Sequence, residues 1–153
     1  MGSETIFHID VNSAYLSWSA IRRLQNGDPL DLRTIPSIIG GDQEKRHGIV
    51  LAKSIPAKKY GIQTAEPIVS AFRKCPTLVM ESPDMHYYHQ KSEELMNFLR
   101  SVCPDIEQLS VDECFMDYTP HPTPLRFSHR SGFPYQGRDP EPVWIHSERR
   151  YFR

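Results

Sequence analysis

Three acidic residues occupy positions from which they could do chemistry together. Asp10 closes the apolar run Ile6-Phe7-His8-Ile9, and the pair Asp112-Glu113 lies between two β-favouring stretches, residues 106–111 and 114–118. Carboxylates on adjacent strand ends can hold two divalent ions a few ångströms apart, because Mg²⁺ takes hard oxygen ligands and keeps coordination positions open for substrate phosphates. The chemistry that suits such a set is phosphoryl transfer. One ion lowers the pKa of an attacking hydroxyl and the other neutralises charge on the leaving group. Spacing alone does not separate this reading from the ordinary one, since Asp is favoured in turns for its own hydrogen bonding.

Other site chemistries find less support. Cys75, Cys103 and Cys114 are odd in number and lack CxxC spacing, which argues against a disulfide framework and against zinc, and suits a reducing, cytoplasmic setting. The seven histidines, among them His8, His47, His86 and His89, form no zinc-ligand set with suitably spaced partners. No apolar run reaches the roughly 18 residues that span a bilayer, so no membrane partner is expected. With 18 basic against 19 acidic residues the net charge is -1, so no global positive field points to nucleic acid.

The elements that must position the carboxylates follow from periodicity. Residues 5–11 read as a buried strand carrying Asp10 at its carboxyl end. From Ser13, Ala14, Trp18, Ile21 and Leu24 recur at helical spacing until Gly27 and Pro29. Residues 37–40 and 48–52 are short β-favouring runs around a charged loop and could pair as a hairpin. Helical stretches follow near 56–60 and 67–75, then a strand at 78–80. The clearest helix covers about 84–102, with Tyr88, Leu95, Phe98, Leu99 and Val102 on its apolar stripe and Pro104 beyond it. Residues 106–111 and 114–118 then read as two strands joined by Asp112-Glu113 alone, an unusual turn pair.

Specific motifs sharpen this outline. His8-Ile9-Asp10-Val11-Asn12-Ser13-Ala14-Tyr15 resembles the first palm motif of the Y-family translesion DNA polymerases of the DinB and UmuC type, and Ser110-Val111-Asp112-Glu113 resembles their Ser-x-Asp-Glu hairpin. The resemblance implies metal ligation at Asp10, Val11, Asp112 and Glu113, with Asp10, Asp112 and Glu113 as the catalytic carboxylates and Glu113 beside the primer's 3′-hydroxyl. It implies nucleotide contacts at Asn12, Ser13, Ala14 and Tyr15, with Tyr15 as the steric gate whose ring excludes a 2′-hydroxyl. Residues 51–62 resemble the fingers segment that contacts the triphosphate, with Ala52, Ile55 and Lys58 in contact positions and Thr64 near the nascent base pair. Family members commonly carry tyrosine and arginine where this chain has Ile55 and Lys58. Lysine keeps a point charge but loses the planar bidentate fork, and isoleucine donates no hydrogen bond.

What the resemblance implies is an α/β (α+β) fold: a ferredoxin-like polymerase palm fragment, with a small fingers subdomain inserted before the carboxylate hairpin. Residues 4–118 would be the palm and fingers portion, fingers about 19–77. The implied activity is template-directed DNA synthesis across damage with two Mg²⁺ ions. The implied partners are primer-template DNA and deoxynucleoside triphosphates, and a sliding clamp for full-length members. Alternatives are a palm-like nucleotide cyclase, or a non-catalytic remnant that binds only nucleotide or a partner. After Thr119 the chain turns proline-rich and loses period. Residues 143–153, read one base downstream, permit Phe-Gly-Phe-Thr-Val-Asn-Val-Gly-Ile-Ser, similar to the family's next palm strand. A one-base shift between Thr119 and about Arg130 is therefore expected, leaving 119–153 as an irregular out-of-frame tail and the fragment inactive.

Overall fold

The computed structural model describes residues 6–42 and 47–119. The out-of-frame reading of the tail and the middle of the charged loop lie outside them, apart from Thr119. In chain order the elements are β1 (Ile6–Asp10), α1 (Ala14–Gln25), β2 (Ser37–Asp42), β3 (His47–Lys53), α2 (Ile55–Lys59), α3 (Ile68–Lys74), β4 (Val79–Glu81), α4 (Met85–Val102), β5 (Ile106–Gln108) and β6 (Glu113–Asp117). This is the mixed α/β content expected from the periodicity. The chain divides into two compact units, Met1–Asn12 with Ser92–Arg153, and Ser13–Lys91.

In the first unit β1, β6 and β5 form an antiparallel sheet in that order. Successive side chains on a strand point to opposite faces, and the register puts Ile9 beside Cys114 and Phe7 beside Met116. These residues form one apolar face. Ile9, Cys114 and Met116 are buried with Met96, Leu99 and Cys103 in a single cluster, and Phe7, Leu95, Phe98, Ile106 and Tyr118 pack around it. Leu95, Leu99 and Val102 fall at helical spacing, which is why α4 could be read from the sequence. The opposite face of β1 and β6 carries Ile6, His8 and Asp10 beside Asp117, Phe115 and Glu113.

The link between β5 and β6 is longer than the expected two residues. β5 ends at Gln108 and Glu113 is already the first residue of β6. Local bonds hold residues 109–112 as a wider turn. The N–H groups of Leu109 and Ser110 both donate to the Glu113 carbonyl, at 2.9 and 3.2 Å. Gln108 donates from Nε2 to the Ser110 carbonyl at 2.9 Å, and the Ser110 hydroxyl bonds the Asp112 carboxylate. Side chains that bond nearby backbone in this way compete with ladder pairing, so the strand expected over 106–111 stops at Gln108.

The second unit has its own sheet, in the order β3-β2-β4, with β2 and β3 antiparallel and β2 and β4 parallel. Its core is Ile38, Val50, Ala57, Ile62, Ile68, Ala71, Cys75, Leu78 and Met80. The β2–β3 register slips on both sides of Gly40. A Cβ there would lie 2.4 Å from the Ile49 carbonyl oxygen, so only glycine lets the strands approach so closely. α1 packs against β2 and β3 and buries Ala14, Leu16, Trp18, Ser19 and Ala20. Its buried arc is wider than the expected stripe, and Leu24 is exposed at the helix end.

Candidate active site

The carboxylate set is built by β1 and the start of β6. Asp10 and Glu113 are direct partners in the register, and the Val11 N–H donates to the Asp112 carbonyl at 3.0 Å, carrying the pairing one step past the strand ends. Asp10, Asp112 and Glu113 are all half-buried. The sheet therefore brings the backbones of the three predicted acidic residues, and the Val11 backbone, to one corner.

Their side chains are not gathered on a common point. Among the described residues no group of three or more His, Cys, Asp or Glu side chains is arranged to hold a metal ion. Two of the carboxylates are turned onto neighbours. The Ser110 hydroxyl donates to Asp112 Oδ1 at 2.8 Å, and His8 Nε2 lies 2.5 Å from Glu113 Oε1. His8 is two residues before Asp10 and so shares its sheet face. Its ring also packs on Phe115, its direct cross-strand partner, with centroids 4.8 Å apart. As a donor set, three carboxylates and the Val11 carbonyl are hard oxygens of the kind Mg²⁺ takes. The chemistry of the corner fits that ion, provided Asp112 turns from Ser110 and Glu113 presents its other oxygen, Oε2.

The predicted nucleotide contacts from Ser13 onward lie in the second unit, while Asn12 ends the first segment of the other and is exposed. Ser13 sits at the start of α1 in a left-handed conformation with φ 50°, which non-glycine residues adopt at a cost of order 1 kcal/mol or more and which clusters at functional sites. Its hydroxyl donates to the Lys53 carbonyl at 3.3 Å. Ala14 is buried in the first turn of α1.

Tyr15 stacks on Tyr88 with ring centroids 4.5 Å apart and planes 11° from parallel. Tyr88 is fully buried, and its hydroxyl shares a 2.7 Å hydrogen bond with Ser19. Burial raises the Tyr88 phenol pKa above its ordinary value, so it stays neutral near neutral pH. The gate-position ring thus rests on a second ring that cannot move freely.

The fingers-like segment is held by Ser54. Its side chain caps α2 by accepting from the Ala57 N–H, which places Ile55 and Lys58 on a short helix against the sheet. Ala52 is buried in β3, whereas Ile55 is 77% exposed and Lys58 is also exposed. Thr64 is exposed and accepts from Lys53 Nζ at 3.1 Å. His8, Tyr88 and Ser54 are not singled out by the sequence as site residues. Period-two spacing from Asp10 was a usable signal for His8. Tyr88 gave only a helix stripe, because its partner Tyr15 is distant in the chain.

The family model described as IMS, the impB/mucB/samB family, matches residues 9–129. The chain belongs to this family. The match runs past Tyr118, where the motif resemblance stops. Relatives of the family include a DNA polymerase IV of Clostridium acetobutylicum, 54% identical over 117 residues that cover 76% of this chain and 30% of that protein. A DNA polymerase IV of Alkaliphilus oremlandii is 38% identical, covering 74% of this chain and 27% of its own length. Among solved structures, a Y-family DNA polymerase chimera of Dbh and Dpo4 superposes with TM-score 0.64 at 21% identity, covering 75% of this chain and 32% of that one. That likeness is one of fold. The chain thus spans about three tenths of the length of these relatives. No helix among the described residues is long and apolar enough to cross a membrane.

Proposed function

We propose that this chain carries the metal- and nucleotide-binding part of a translesion DNA polymerase, whose reaction is template-directed nucleotidyl transfer. The observation that supports it best is the pairing of Asp10 with Glu113 at the end of the β1–β6 ladder, with Asp112 one residue away, in a chain of this family. Asp10, Asp112, Glu113 and the Val11 carbonyl would hold two Mg²⁺ ions. When bound, such ions activate the attacking hydroxyl and stabilise the leaving pyrophosphate.

The chain's own residues supply position and selectivity. Tyr15, backed by Tyr88, would present a fixed ring to the sugar and exclude a 2′-hydroxyl. Lys58 on the capped α2 would offer a point charge to the triphosphate, and the exposed Ile55 beside it offers only apolar contact. Thr64 keeps the surface near the nascent pair small. The segment 19–77 proposed as fingers lies inside the unit Ser13–Lys91, and residues 4–118 as a whole would be palm and fingers. Primer-template DNA, and a sliding clamp for longer members, are the partners this reading implies; the cytoplasm is the compartment.

A cyclase-like palm remains the rival activity, and a non-catalytic remnant that binds only nucleotide or a partner is the rival without catalysis. The chain covers about three tenths of its relatives' length, so nucleotide binding is the property to measure first. The test incubates the chain with Mg²⁺ and labelled dATP or ATP, then with primer-template. The reading predicts Mg²⁺-dependent retention of dATP over ATP, its loss of sugar preference in Tyr15→Ala, and no cyclic product. Formation of a cyclic nucleotide would overturn it, and a chain with no cooperative melt would favour the remnant. The out-of-frame reading of 119–153 is decided by sequencing the gene.

A further inference from the structure

The His8 side chain touches a member of the acidic set, Glu113, from the neighbouring strand. Its Nε2 lies 2.5 Å from Glu113 Oε1, and the two side chains are 38% and 32% exposed, so the contact is partly sheltered from water. Two independent features fix the ring there. Strand periodicity puts His8 on the Asp10 face, and the register places it directly opposite Phe115, on whose ring it packs at 4.8 Å with planes 30° apart. Glu113 belongs to the same face, diagonal to His8 and opposite Asp10.

We infer that His8 is a positioning residue for Glu113, donating from Nε2 to one carboxylate oxygen so that only the other is presented to a divalent cation. This rests on the two-metal reading of the carboxylates. A carboxylate with one oxygen engaged by a fixed N–H loses much of its freedom about its last torsions, which would favour approach of a metal to its other oxygen. Hydrogen bonds from outer residues to ligating carboxylates orient them, and their removal commonly lowers metal affinity about 10–100-fold. Phe115 completes the device by limiting rotation of the imidazole.

The experiment measures the Mn²⁺ dissociation constant of the full chain by electron paramagnetic resonance at one fixed pH, for the wild type and three variants. His8→Phe keeps a ring against Phe115 and removes the donor. His8→Gln removes the ring and keeps an N–H donor of similar reach. Asp10→Asn reports on the site itself, and circular dichroism confirms that each variant folds. The inference predicts Mn²⁺ affinity about tenfold weaker in His8→Phe and within about threefold of wild type in His8→Gln. The imidazole ¹⁵N spectrum adds a second readout, with the His8 proton on Nε2 and its resonance moving in Glu113→Gln.

Equal affinity in wild type and His8→Phe, or equal losses in both His8 variants, would overturn the positioning role while leaving the site reading intact. So would a His8 ring protonated only on Nδ1. Binding that Asp10→Asn does not weaken, or no binding by the wild type, would instead overturn the two-metal reading and the inference with it.

Discussion

Replacing Ser54 by alanine tests whether the fingers-like segment is built as described. Ser54 is 2% exposed, and its hydroxyl serves three backbone groups. It accepts from the Ala57 N–H at 3.0 Å and the Ser37 N–H at 3.1 Å, and donates to the Ile35 carbonyl at 2.7 Å. Losing an N-cap costs about 1 kcal/mol. Leaving the buried Ser37 N–H without a partner adds about 1–3 kcal/mol, so Ser54→Ala should lose about 2–4 kcal/mol in all. That is a large share of the roughly 5–15 kcal/mol that holds an ordinary domain together. The assay is urea unfolding in a Trp144→Phe background, followed by the fluorescence of buried Trp18, which belongs to the same unit, with the exposed Lys59→Ala as control. The midpoint should fall in Ser54→Ala and stay within about 0.5 kcal/mol of wild type in the control. Because the cap also places Lys58, nucleotide retention should weaken with it. A loss below about 0.5 kcal/mol in Ser54→Ala would refute the reasoning.

Further outcomes follow from packing and ionisation. Gly40→Ala should destabilise the second unit by about 1–3 kcal/mol in the same assay, since the added Cβ would meet the Ile49 backbone oxygen at 2.4 Å and no flexible side chain can yield; a wild-type midpoint would contradict the close approach. Burial pushes the Cys114 thiol from 9.0 up to about 11. The thiol is neutral in both states below about 9, so its contribution is intact there; as pH rises toward 11 the unfolded chain ionises first and stability falls. Urea midpoints at pH ~8 and ~10 should therefore differ less in Cys114→Val than in the wild type, and identical pH slopes would disprove this.

The parts of the fold legible in the sequence are those with period and length. α4 declared itself through Leu95, Leu99 and Val102, and β1 through an apolar run that ends on Asp10. The parallel partnership of β2 with β4 did not, because a three-residue strand carries no period and its partner is far away in the chain. The wide turn before Glu113 was hidden by a β-favouring stretch that reads as strand, although Gln108 and Ser110 bond it otherwise. The motifs named candidate carboxylates. They gave no sign of the His8–Glu113 and Ser110–Asp112 contacts, which are set by register and by side-chain torsions rather than by residue type.

The most direct test of the central claim is Mn²⁺ binding by the full chain with dATP present, compared with Asp10→Asn and Asp112→Asn. The account predicts two ions per wild-type chain, with dATP and metal tightening each other's binding and either variant weakening it by at least about tenfold. Binding that is unchanged in both variants would show that Asp10 and Asp112 do not form the metal site.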